Sequence, residues 1–210
     1  MTTYSGPPTT VALPLPEILG LTEHFDTTGI TSPDALADGG FNVWSNTFPA
    51  DELPVPGSVV DVHGLPFAFP AKDPAGRDNL RCAGQLIDVP VGRYDWIHLL
   101  AAAERRTEDQ VLLHFTDGAV DPEWLRVSDF WPQTPSRFGE SPAFTCGSLH
   151  YPRHIQRDMP PVIWRQRVAV PRESALRAVR LPDNPALHIF AMTLQPSLRL
   201  TAESATETAA

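Results

Sequence analysis

Lysine is almost missing from this sequence: Lys72 is the only one in 210 residues. Cysteine is confined to Cys82 and Cys146. Two thiols so far apart in the chain offer neither a metal-binding spacing nor a redox pair; they allow one disulfide and demand none. No apolar run approaches the roughly 20 residues of a membrane span. An excess of positive charge is missing too, with 16 Lys and Arg against 25 Asp and Glu and a net charge of −9. An acidic chain repels phosphate backbones and anionic bilayers, so neither nucleic acid nor membrane is an expected partner. The first residues, Met1 to Gly6, lack a basic stretch followed by an apolar core, so no secretory signal is read and a cytoplasmic location is expected.

Proline is abundant, at 23 residues. It breaks helices by removing an N–H and clashing with the preceding turn, which excludes a helix bundle. Short β-type runs remain, punctuated by Gly, Pro, Asp and Asn. They are 58–62, 84–89, 94–100, 110–115, 124–128, 162–168, 176–181 and 187–194. Many short strands at near-regular spacing predict an all-β sandwich or barrel. Asp117-Gly118 between apolar runs predicts a tight hairpin, since both residues tolerate positive φ. The runs 111–115 and 187–194 are apolar at nearly every position and read as central strands covered on both faces. Residues 132–147 read as a long Pro-, Ser- and Gly-rich loop, and 15–21 as a short helical turn. The organisation expected is an N-terminal arm over 1–26, a sandwich domain over 27–198 and a disordered tail over 199–210.

One ordered series of short motifs runs through the chain. It begins with Asp38-Gly39-Gly40-Phe41-Asn42, Ser45, Phe48-Pro49-Ala50, Asp78-Asn79 and Gly84-Gln85. It continues with Gly92-Arg93-Tyr94-Asp95, His98-Leu99-Leu100 and Thr116-Asp117-Gly118, and closes on Leu181-Pro182-Asp183-Asn184-Pro185 and Leu187-His188-Ile189-Phe190-Ala191. Over roughly 27–195 this resembles the galactose-binding-like β-sandwich modules appended to actinobacterial glycoside hydrolases. The resemblance implies a jelly-roll of two antiparallel sheets, with carbohydrate or other small-ligand recognition in loops at one end or on the concave sheet.

Candidate site residues come from side-chain chemistry. Asp129 and Trp131 alternate onto one face if their strand persists, and a carboxylate beside an indole makes a sugar platform. Trp44 and Trp164 are further stacking surfaces. Residues 149–154 gather His150, Tyr151, Arg153 and His154: two imidazoles that exchange protons near neutrality, a phenol, and a guanidinium that holds vicinal oxygens. Pro152 argues against a helix that would align His150 and His154, so no metal site is read there, and no cofactor is implied. Asp34 and Asp38 read as capping aspartates more readily than as calcium ligands, which would need six to eight oxygens. His114, Asp129 and His150 are the residues suited to general acid–base work. The expected function is binding of a carbohydrate or similar polyhydroxylated small molecule. The alternative is an intracellular enzyme, an isomerase, lyase or cyclase, using the same His and Asp on a small metabolite. Oligomeric state stays open.

Overall fold

The computed structural model describes residues 14–131 and 135–198. In chain order the strands are β1 (Glu17–Leu19), β2 (Ile30–Thr31), β3 (Phe48–Pro49), β4 (Val59–Val62), β5 (Leu65–Ala68), β6 (Leu80–Arg81), β7 (Leu86–Gly92) and β8 (Tyr94–Ala103). They continue as β9 (Thr107–Phe115), β10 (Val120–Val127), β11 (Ser141–Thr145), β12 (Ser148–Tyr151), β13 (His154–Arg157), β14 (Val162–Ala169), β15 (Leu176–Arg180) and β16 (Leu187–Pro196). The helical elements among the described residues are 3-10 turns at Thr22–His24, Pro33–Asp38 and Ala50–Glu52.

Two antiparallel sheets face each other. One runs β1-β16-β8-β14-β11, with β6 also pairing with β16, and the other runs β10-β9-β15-β7. The protein is therefore an all-β sandwich. All eight runs read from the sequence are strands. The predicted hairpin closes where Gly118, at φ +88, donates its N–H to the Phe115 carbonyl at 3.2 Å.

Three expectations change. Residues 141–145 form a strand, β11, within the stretch read as a loop; Pro142 and a bulge before Phe144 hide its alternation. The 15–21 segment holds strand β1 rather than a helical turn, because Glu17–Leu19 finds an open edge on β16. This strand lies within the stretch read as an arm, whose residues 1–13 fall outside the described residues, as does the expected tail from 199. β16 is covered on both faces, but β9 is not: Val111, Leu113 and Phe115 are buried while Leu112 and His114 on the outer face are only half-buried. Cys82 and Cys146 are both free and buried.

The inter-sheet core holds Ile97, Leu99, Val111, Leu113, Leu125, Trp164 and Val179, all turned inward by strand alternation. A second apolar cluster lies on the other face of the six-stranded sheet. There Phe41, Phe48, Phe67 and Phe69 from the segments before β6 meet Leu149, Ile163 and Phe190. Phe48 sets its ring edge-on to Phe41 at 5.5 Å and to Phe190 at 5.8 Å. This outer layer carries the candidate site.

Two local devices pin the layer. A Cβ on Gly39 would stand 2.1 Å from Thr47 Cγ2, so only glycine lets this loop press on the Thr31–Thr47 pair. Asp78, buried, accepts hydrogen bonds from the Gly29 N–H at 2.7 Å, the Ile30 N–H at 3.1 Å and Asn79 Nδ2 at 2.9 Å. Burial outweighs these donors and pushes its carboxyl from 3.8 up to about 6. An acid raised by folding holds its proton more tightly in the native state. Its stabilising contribution is therefore fully present below about pH 4 and is lost as pH rises through about 6. Urea denaturation across this window should show that slope in the wild type and lose it in Asp78→Asn; an unchanged slope would contradict the assignment.

Candidate functional site

The hairpin β12–β13 decides which of the 149–154 side chains meet. Its register pairs Ser148 with Arg157 and His150 with Ile155, so these four share one face. Leu149, Tyr151, His154 and Gln156 share the other. Tyr151 and His154 stack on that second face, with ring centroids 4.7 Å apart and planes 7° from parallel. Arg153 sits exposed at the tip. The pleat thus separates His150 from the other three side chains singled out in this segment.

On the His150 face lies a cavity of about 270 Å³. The Ala50–Glu52 turn contributes Asp51 and Glu52, and Gly147 and Asp158 close the hairpin end. Asp158 holds a positive φ of 58° and donates its N–H to the Gly147 carbonyl at 3.1 Å, fixing that corner. Glu52 ties the two sides together. Its Oε1 accepts from Ser148 Oγ at 2.6 Å, and its Oε2 accepts from the Gly147 N–H.

His150 is held from behind. Its Nδ1 lies 2.9 Å from Thr31 Oγ1, which in turn contacts Thr47 Oγ1. Its backbone bridges Thr47, and its carbonyl accepts from Asn46 Nδ2 at 3.3 Å. With Nδ1 committed, Nε2 is the ring nitrogen available to the cavity. Burial pulls the imidazole below its ordinary 6.5, while Asp51, Glu52 and Thr31 pull the other way. The cavity therefore presents three carboxylates, one guanidinium, one imidazole and one hydroxyl, with Ile155 as its apolar surface. Acceptors dominate, which suits a ligand rich in O–H or N–H donors.

The remaining candidates lie elsewhere. Trp44 and Trp131 do come together, with centroids 6.4 Å apart and planes at 31°. Trp44 is 57% exposed. Asp129 bridges Ala103, and its carbonyl accepts from Trp164 Nε1 at 3.0 Å. Its Oδ1 is buried with no partner among the described residues. Trp164 itself is 3% exposed and points into the inter-sheet core, so its indole serves packing. His114 lies on the outer face of the four-stranded sheet, the layer opposite β12, where burial and then Arg177 and Arg180 lower its affinity for a proton. His114 and His150 thus do not share a pocket. Among the described residues no group of three or more His, Cys, Asp or Glu side chains is arranged to hold a metal ion.

Sequence reasoning missed Asp51, Glu52, Arg157 and Asp158. Strand alternation over 148–151 was enough to pair Ser148 with His150. Nothing local announces Glu52, which lies 96 positions from Ser148.

Residues 16–197 match a family model described as the AziU2-like beta-sandwich domain. No curated protein matches the chain.

Proposed function

The chain belongs to the AziU2-like beta-sandwich domain family, and from that premise we propose that it binds a small polyhydroxylated or amine-bearing ligand, of monosaccharide size, in the His150 cavity. The observation that carries this reading is the Glu52–Ser148–His150 arrangement around a polar hollow. Its volume, about 270 Å³, lies just below the range of drug-sized ligand pockets, which start near about 300 Å³, and suits a smaller molecule. Hydroxyl groups both donate and accept, so one sugar ring can satisfy the carboxylates and Arg157 together. The likeness to galactose-binding-like modules supports the same ligand class. Calorimetric titration with neutral monosaccharides, amino sugars and their uncharged acyclic analogues tests it. Saturable heat with a cyclic polyol or amino sugar is expected; silence across the panel at millimolar concentration would overturn the proposal.

One observation favours a second reading, acid–base catalysis at the same place. His150 is held by Thr31 at Nδ1, and burial lowers its affinity for a proton. In the tautomer that donates from Nδ1 to Thr31, Nε2 has a lone pair able to take a proton from a bound substrate. Under this reading a bound polyol is turned over, and His150→Gln abolishes turnover while retaining binding.

A further inference from the structure

The Ala50–Glu52 turn has a second side. In a 3-10 turn, residues three apart lie above one another. Ala50 and Leu53 accordingly share the side opposite Asp51 and Glu52, where they line a separate cavity of about 260 Å³. Its walls are almost wholly carbon: Ile30, Leu53, Pro54, Pro56, Phe69 and Pro70. Three of these six are prolines, whose fixed φ leaves the wall little freedom to collapse into the space. Apolar hollows of this kind stay poorly hydrated and favour apolar guests.

Two charged side chains reach the cavity, and they differ in how they are engaged. Asp78 spends its carboxylate on the Gly29 and Ile30 N–H groups and on Asn79. Lys72, exposed at the edge, makes no ion pair or side-chain hydrogen bond among the described residues. It is also the only lysine in a chain of net charge −9. Its other neighbours in the cavity are aliphatic, aromatic or proline side chains, so Lys72 has only the occupied Asp78 as a counter-charge.

We propose that this cavity is a second binding site, for a small apolar carboxylate: an aromatic or branched aliphatic body between Leu53, Phe69 and the prolines, with its acid group on Lys72. The site is independent of the His150 cavity, from which the turn separates it.

Phenylacetate and the isosteric neutral phenylacetamide are the probes, with dissociation constants from ligand-observed NMR titration of the full chain. Phenylacetate should bind more tightly than the amide by about threefold, the worth of an exposed ion pair. Lys72→Met should make the two equal, with amide binding unchanged. Ala50→Leu, which narrows the hollow, should weaken both, with thermal melting confirming that the variant is folded. Glu52→Gln, on the other side of the turn, should leave both constants unaltered, which separates this site from the polyol site. Absence of binding by either probe at millimolar concentration would overturn the proposal. So would equal affinities in the wild type, or an acid preference that survives Lys72→Met.

Discussion

Phe48→Ala is expected to lower stability by about 3–5 kcal/mol, the range for deleting a fully buried phenyl ring. Phe48 is 0% exposed and sits at the centre of the outer aromatic cluster, with Phe41, Phe130 and Phe190 rings on its sides at 5.5, 6.0 and 5.8 Å. Phe190 is fixed on β16 of the six-stranded sheet, so the gap does not close fully and a cavity term adds to the lost transfer energy. Phe48 also follows Thr47, whose backbone bridges His150 and whose hydroxyl meets Thr31. The same variant should therefore weaken polyol binding as well as the fold. Trp44→Ala, at a ring 57% exposed, should change stability by no more than about 0.5 kcal/mol. Urea denaturation of the two variants gives the comparison; similar losses in both would contradict the layered account.

The strands that form the sandwich were legible because burial imposes a period of two on them. β14 buries Val162, Trp164, Gln166 and Val168 toward the other sheet and turns Arg165 and Arg167 away. The outer layer was not legible in that way. It is built from two- to four-residue strands and 3-10 turns between residues 30 and 69 and from the four-residue strands β12 and β13, all too short to show a period. The candidate site suffered from the same limit. Residues 149–154 looked like one polar group by proximity in sequence, but adjacent residues on a strand face opposite ways. The pairing of β12 with β13 then sends Tyr151 and His154 to one side and His150 to the other. Trp164 was read as a sugar surface, whereas its alternation partners Val162 and Val168 place it in the core. His114 lies on the other sheet altogether, a fact set by the β9–β15 pairing and not by any local motif.

Glu52→Gln should reduce affinity for the polyol or amino sugar by about tenfold to hundredfold. Glu52 is exposed on the turn, yet both of its oxygens are used, by Ser148 Oγ and by the Gly147 N–H. Glutamine keeps the length but replaces one acceptor with an NH₂ group, which faces a donor. A ligand O–H or N–H that bonds the free lone pairs of this carboxylate loses a charge-assisted hydrogen bond, worth about 1.5–3 kcal/mol, which sets the tenfold-to-hundredfold range. The fold should also lose about 1 kcal/mol, because the hydrogen bond broken is one that Ser148 or Gly147 makes to Glu52. Calorimetry paired with thermal melting separates the two effects. Wild-type affinity in this variant would remove Glu52 from the site.

The most direct measurement is a structure of the protein with its tightest-binding sugar or amino sugar. The ligand is predicted between Glu52, His150 and Arg157, on the Ser148–His150 face of the β12–β13 hairpin. A ligand stacked instead on the exposed Trp44 and Trp131 rings, with the His150 cavity holding only solvent, would contradict the account.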